Sequence, residues 1–304
     1  MLTASAVVPT LGKSPLLVPC LEALRKEGAK IILVDQGEAP AEIPDGLADL
    51  RVRPGRNLGF AAGTNSGIEA AAGDWIATVN DDAVVEPGWL GALVAALDAD
   101  PRAAAAQGVN VRFDASDLAD GCGVAWNRWW QAVQVGHGRT APATAGPARE
   151  VFGVSATAAV FRRRALGAVA SGSAIFEPAL GSYYEDVDLA GRLRAAGWRA
   201  LLVPAARARH AGSATGATLS RERWRLIYGN RYLAAARLLG NAFWPRLPRM
   251  AVRDGVDLVK AAARGEGDLA AGVLAGWRRA ARLLPQFARG GPPAVPLGEI
   301  RGFR

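Results

Sequence analysis

Two short apolar runs joined by one amphipathic helix constrain this 304-residue chain more than any other feature. "ASAVVPT" (residues 4–10) and "AKIILVD" (29–35) are apolar with little alternation, as expected of strands covered on both faces. Between them Leu16, Leu17, Cys20, Leu21 and Leu24 recur at helical spacing. Ser14 and Pro15 read as N-cap and first helical residue, and Gly28 as the stop. A strand–helix–strand unit implies a crossover connection and a parallel strand pair. The chain is therefore expected to be α/β, with a mainly parallel sheet flanked by helices.

The pattern continues downstream. "LRVRPG" reads as a third strand, residues 61–72 as a small-residue helix closed by Gly73, and "DWIATVN" as a fourth strand ending at Asn80. Pro87 opens a helix to about Leu97, and "AAAAQGVNV" reads as a fifth strand despite alanine's preference for helix. Residues 121–150 mix aromatics with Gly and Pro and read as strands and loops. "VFGVSATAAVFRRRAL" is a buried strand running into a helix; helix 187–196 and strand "RALLVP" follow. Beyond Ser220 the periodicity is helical only, over 221–240, 246–264 and 268–284, and the closing "GGPPAVPLGEIRGFR" is expected to be loose.

Half of the residues are hydrophobic, which supports a sizeable core and excludes global disorder. Cys20 and Cys122 lack CxxC partners, which argues against a disulfide framework or a zinc site and for reduced thiols in a cytoplasmic setting. No apolar run approaches the ~18 residues of a spanning helix, and "MLTASAVVPTLG" lacks the basic and apolar regions of a signal peptide. The expected location is the cytoplasm, in solution or peripherally on the inner face of the cell membrane. The net charge of +8 is uneven: Arg221–Arg304 holds 16 Lys and Arg against 6 Asp and Glu, a net of +10, leaving −2 for the first 220 residues. Such asymmetry fits an anionic surface as partner, or else an arginine-rich solvated face. A nucleic-acid role would rest on this charge alone and is disfavoured.

Ligands of open parallel sheets bind beyond the carboxyl ends of the strands. Asp35 ends the second strand, "GRNLGFAAGTNSG" follows the third, and "NDD" (Asn80–Asp82) ends the fourth. The glycine-rich stretch matches neither GxGxxG nor a P-loop, but it permits close backbone approach, and Arg56 can meet a phosphate. Asp81 and Asp82 either hold a divalent metal or cap the following turn. His210, after "RALLVP", reads either as a metal ligand or as a surface residue, and His137 as a loop residue. In "YYEDVDLAGRLRAAG", Asp188 suits a helix first turn and an i,i+4 pair with Arg192. Glu185 and Asp186 are more than one cap requires, and a carboxylate fixed at such a junction suits a general base.

The ordered set "VVPTLG", "IILVDQG", "GRNLGFAAGTNSGI", "NDDAVVEPGWL", "GVSATAAVFRRRAL", "FEPALGSYYEDVDLAGRLRAAGW" and "VPAARARHAGSAT" resembles the family 2 inverting glycosyltransferases of the GT-A fold, particularly their rhamnosyltransferase-like branch. The resemblance covers residues 4 to about 215. It implies a Rossmann-like GT-A domain with a nucleotide-sugar-binding half (1–110), an acceptor-binding and catalytic half (111–220) and a basic helical extension (221–304). It implies transfer of rhamnose or another hexose from a nucleoside diphosphate donor to a glycan or lipid-linked acceptor, in cell-envelope polysaccharide synthesis. The cofactor implied is Mn2+ or Mg2+, with Asp82 and His210 as ligands. Pro9, Asp35, Arg56, Asn57, Gly59, Asn65 and Asp81 match the donor-binding positions, Asp186 the catalytic base and Glu185 its acidic neighbour. The sequence departs from the family where Asn80 replaces the first acid of D-x-D and "VDQGEAP" the commoner loop.

Trp126, Trp129 and Trp130 read as an acceptor wall or as core. The aromatic, arginine-rich tail reads as membrane-facing helices or as packing on the catalytic domain or an oligomer partner. Two competing functions share these features: a sugar nucleotidyltransferase, disfavoured for want of an N-terminal Gly-rich signature with an activating Lys or Arg, and a non-catalytic glycan- or membrane-binding subunit, disfavoured by the intact acidic residues.

Overall fold

The computed structural model describes residues 4–212 and 220–303, so the last three residues of "VPAARARHAGSAT" lie outside the described residues. In chain order the elements are β1 (Ala4–Thr10), α1 (Leu17–Lys26), β2 (Lys30–Asp35), β3 (Leu50–Val52), α2 (Gly59–Ala70), β4 (Trp75–Val79), β5 (Ala83–Val85), α3 (Trp89–Ala99) and β6 (Ala103–Arg112). There follow β7 (Ala119–Gly121), β8 (Val124–Trp126), β9 (Ala132–Gln134), β10 (Arg149–Val151), β11 (Ala158–Arg162), α4 (Arg163–Val169), α5 (Glu185–Ala195) and β12 (Arg199–His210). The chain continues through α6 (Arg221–Leu239), α7 (Leu247–Ala263), α8 (Gly267–Phe287) and α9 (Leu297–Gly302).

The main sheet runs β10-β12-β6-β11-β4-β1-β2-β3. β1 is parallel to β2 and β4, β2 to β3, and β6 to β12, while β11 runs antiparallel between β4 and β6. The sheet is thus mixed but mostly parallel. Both faces are covered, as the apolar runs require. Ala6, Val8, Ile31 and Leu33 pack under α1 and α3, while Val7, Ile32 and Val34 point the other way into the layer containing α2, α4 and α5.

Three local expectations change. Ser14 does not cap α1, which starts at Leu17; its hydroxyl donates to the Asp81 carbonyl (2.9 Å) and so ties the first crossover to the "NDD" turn. α5 starts at Glu185, so both acids lie inside its first turn, and the N-cap position belongs to Tyr184, which makes no side-chain cap. The closing segment is not loose: Val295 and Ile300 are buried, Phe303 packs edge-on to Phe152, and Glu299 pairs with Arg194 at 2.7 Å.

The C-terminal helices share a core with the start of α5 and with β8. Trp126, Trp130, Tyr184 and Val187 lie in one apolar cluster with Tyr232, Leu238, Phe243 and Met250. Part of the tail's positive charge is turned inward. Arg231 and Asp254 form a fully buried pair in which Tyr232 and Trp277 also donate to Asp254. Arg237 reaches Glu177 (2.7 Å) and Asp188 (2.9 Å). Among the described residues no helix is long and apolar enough to cross a membrane.

Candidate active site

The strand ends meet around residues 155–157, just before β11. Asn80 N–H donates to the Thr157 carbonyl (2.8 Å), and the Thr78 hydroxyl donates to the Ala156 carbonyl (2.9 Å). On the other side Ser155 and the Ala156 amide lie near the Asp186 carboxylate and favour its charged form. The "NDD" turn and the "ED" helix start therefore both border one three-residue segment. The Ser155 amide is fixed in turn by Gln107 Oε1 (2.6 Å).

The two aspartates of the turn face different ways. Asp81 Oδ2 accepts from the Thr10 hydroxyl at 2.5 Å; burial, and then the charge of Asp82, push Asp81 up to about 6. Asp82 faces His210, whose Nε2 lies 3.2 Å from its Oδ1. β5 creates this encounter by pairing antiparallel with the end of β12, placing Ala83 opposite His210. The other ring nitrogen, Nδ1, donates to Asp120 Oδ2 at 2.8 Å. Burial alone would pull the imidazole down, but its hydrogen bonds to the Asp120 and Asp82 carboxylates outweigh it and hold the group up to about 9. Asp120 went unseen in the sequence. His137 also converges on it, donating from Nδ1 to the Asp120 carbonyl (2.8 Å), so both histidines of the chain meet at one residue.

These residues fit a divalent cation. A carboxylate and an imidazole nitrogen face one another, and the imidazole's far side is held by a carboxylate, the usual outer support of a metal-bound histidine. Among the described residues no group of three or more His, Cys, Asp or Glu side chains is arranged to hold a metal by itself. The remaining ligands would have to come from elsewhere, as with magnesium or manganese bound through substrate phosphates.

The second acidic pair is divided differently. Glu185 is buried, its Oε2 has no partner, and burial followed by the charge of Asp186 carries it well above the usual carboxylate range. Asp186 keeps part of its surface open, accepts from the Val187 amide (2.7 Å), and is pushed up to about 6, chiefly by burial. Asp188 pairs with Arg192 at 2.9 Å, as the i,i+4 spacing predicts.

The donor-side expectations separate into open and engaged groups. Arg56 and Asn57 are exposed, and Asn57 Oδ1 accepts from the Gly59 amide (2.8 Å). Asp35 is fully buried: its oxygens accept from the Gly37 (3.2 Å) and Ala41 (2.9 Å) amides, and Arg53 lies at 3.4 Å. Its carboxylate shapes the 36–41 loop from inside the protein. Asn65 is likewise engaged within the protein. Its amide holds the backbone of Ile175 and Phe176 through three hydrogen bonds. Gly59 does allow a close approach, but to Gly181: a Cβ there would lie 3.2 Å from the Gly181 carbonyl. The Phe60 and Ala61 amides donate to Ser182 Oγ (3.1 Å) and the Gly181 carbonyl (2.7 Å), so they are not open to a phosphate. Pro9 lies buried in β1 just past its last pairing with β4, where its missing N–H breaks no ladder bond. Trp126 and Trp130 are core; Trp129 is half-buried under the Arg249 guanidinium.

Residues 5–169 match the profile of the glycosyl transferase family 2 domain. The chain belongs to glycosyl transferase family 2. The match ends before the "ED" pair and His210, so their placement rests on the geometry above. No curated protein sequence matches this family 2 chain. Solved structures with a similar fold include GalNAc-T7 with UDP, GalNAc and Mn2+ (18% identity, 78% of this chain and 50% of that one, TM-score 0.56). A second is the mannosyltransferase PcManGT from Pyrobaculum calidifontis with GDP-Man and Mn2+ (17% identity, 91% and 86%, TM-score 0.54). A third is S. aureus TarS 1-349 with UDP-GlcNAc (14% identity, 77% and 66%, TM-score 0.50). The chain thus spans half the length of the first of these and most of the second, and the shared feature is a GT-A-like fold.

Proposed function

We propose that this family 2 chain is a metal-dependent, inverting hexosyltransferase. It moves rhamnose or another hexose from a nucleoside diphosphate donor to a glycan or lipid-linked acceptor in cell-envelope polysaccharide synthesis. The observation that carries this reading is that the turn bearing Asp82, which faces His210, and the helix start bearing Asp186 both border residues 155–157. The neighbours holding UDP, GDP-Man or UDP-GlcNAc, two of them with Mn2+, support a nucleotide-sugar donor.

Asp82 and His210 would hold the cation, which supplies Lewis-acid neutralisation of the leaving diphosphate. Arg56 and the loop shaped by Asp35 lie on the donor side, where the arginine can meet phosphate oxygens. Asp186 takes the proton of the acceptor hydroxyl as its oxygen attacks the anomeric carbon from the face opposite the leaving group. One displacement inverts the configuration and needs no nucleophilic carboxylate, consistent with the burial of Glu185. A base held near 6 is deprotonated at neutral pH yet strong enough to assist.

The acceptor side adjoins the C-terminal helices. On α7, Val252 and Val259 are 66% and 69% exposed and Val256 lies between them, an i, i+4, i+7 stripe preceded by exposed Trp244 and flanked by exposed Arg249, Lys260 and Arg264. β-Branched residues do not favour exposed helical positions, so the stripe has no local structural reason. An anionic membrane surface fits it, with apolar contact below and basic residues at the headgroups. Arg249, at the same end, stacks on Trp129, so membrane contact would place the acceptor side at the lipid surface.

The test is nucleoside diphosphate release from UDP-, GDP- and dTDP-sugars with Mn2+, with and without envelope lipids. Release from one donor, abolished by EDTA, is expected. Diphosphate release from a nucleoside triphosphate instead would make the chain a nucleotidyltransferase, and failure to bind any nucleotide would remove the enzymatic reading.

A further inference from the structure

The backbone just before Asp186 is held in a conformation its residues do not favour. Tyr183 and Tyr184 have φ of +69° and +72°, following Gly181 at +70°. Bulky side chains rarely occupy this region, and they persist there only where their surroundings over-determine them. α5 has no side-chain cap of its own, so the geometry of its first turn is imposed from outside.

The imposing group is on α6. Asn230 is fully buried, and its single amide nitrogen donates to the carbonyls of Leu180 (2.7 Å), Ser182 (2.9 Å) and Tyr183 (2.9 Å). Its Oδ1 accepts from Arg279 Nε of α8 (3.2 Å), and the same guanidinium donates to the Ala179 carbonyl. From the opposite side, the first amides of α2 hold Gly181 and Ser182. The loop carrying the base is thus gripped between the donor-side helix and the C-terminal extension.

We propose that Asn230 is a positioning residue for Asp186. By gathering three carbonyls of the 180–183 turn onto one amide, it fixes Tyr183 and Tyr184 in the left-handed region and aims the first turn of α5 into the site. The C-terminal helices are then part of the catalytic device, whatever surface they also meet. This rests on the reading of Asp186 as the base.

The experiment uses full-length protein, measuring donor turnover with Mn2+, nucleotide Kd by calorimetry and folding by circular dichroism. Asn230→Ser is expected to keep its fold, its nucleotide Kd and its donor KM while kcat falls about 10- to 100-fold, the scale of a base displaced by about an ångström. Adding Tyr183→Gly, which adopts positive φ without support, is expected to restore part of that kcat. Should Asn230→Ser not fold, Arg279→Met loosens the same amide and is expected to lower kcat at unchanged Kd. An inert Asp186→Asn beside a wild-type kcat in the folded clamp variant overturns the clamp alone. Wild-type turnover by Asp186→Asn overturns the base reading and the clamp with it. A kcat loss that Tyr183→Gly leaves untouched also contradicts the clamp.

Discussion

The molecule holds two adjacent carboxylate pairs and treats them in opposite ways. At the strand end, Asp81 is tied to Thr10 and Asp82 meets the His210 imidazole. At the helix start, Glu185 is buried with an unpartnered oxygen and Asp186 keeps an open side. In both places one acid is turned inward and one faces the site. The first outward acid meets an imidazole, whereas the second has no cationic side chain in ion-pair contact among the described residues. On the proposed reading, two like pairs would acquire two roles, cation ligand and proton acceptor, from environment alone.

The sharpest way to break this division is Asp186→Asn, expected to lower kcat by about 10²–10⁴-fold, the usual contribution of a general base. Next is Asp82→Asn, which should raise the Mn2+ requirement by roughly 100-fold or more. Asp120→Asn, which only releases the back of the imidazole, should weaken Mn2+ by about 10- to 100-fold, as outer-shell changes do. Both are read by manganese titration of turnover. The pH profile refines the helix-start pair. The base works deprotonated, so kcat/KM should fall as pH drops through about 6 rather than through the ordinary aspartate range. The sign for stability is opposite: burial disfavours the charged form, so this pair's contribution is full below the ordinary carboxylate pKa and is lost as pH rises through the raised one. The smallest effect belongs to Glu185→Gln. A buried acid that holds its proton is closely mimicked by a neutral amide, and kcat should stay near wild type.

The sequence made the first pair more legible than the second. β1, α1 and β2 announce themselves because strands buried on both faces must be apolar throughout, and the "NDD" turn then falls at a predictable strand end. β6 is ten residues, the first nine buried, opening with four alanines, a case where tertiary pairing overrides helix propensity. His210 was visible, but its encounter with Asp82 was not, because "RALLVP" seemed to stop at Pro204. β12 instead continues to His210 across a register shift between Leu202 and Arg207, which accommodates the proline. Asp120 offered no signal: its role depends on β7 pairing with β6, and "LADGCG" has no periodicity to reveal it. Asn230 was hidden in a helix whose polar residues read as a solvated face, and the arginines beside it turned out to be inward. Gly and Pro concealed the anchoring of the last segment by Val295, Ile300 and Phe303.

The division of labour between the two pairs is tested most directly by calorimetric titration of Mn2+ with UDP or GDP into wild type, Asp82→Asn and Asp186→Asn. Asp186→Asn should bind the metal–nucleotide pair as wild type does while failing to turn over, and Asp82→Asn should lose the binding itself. Equal loss of binding in both variants would contradict the account, because the two acids would then serve one site and neither could be assigned as the base.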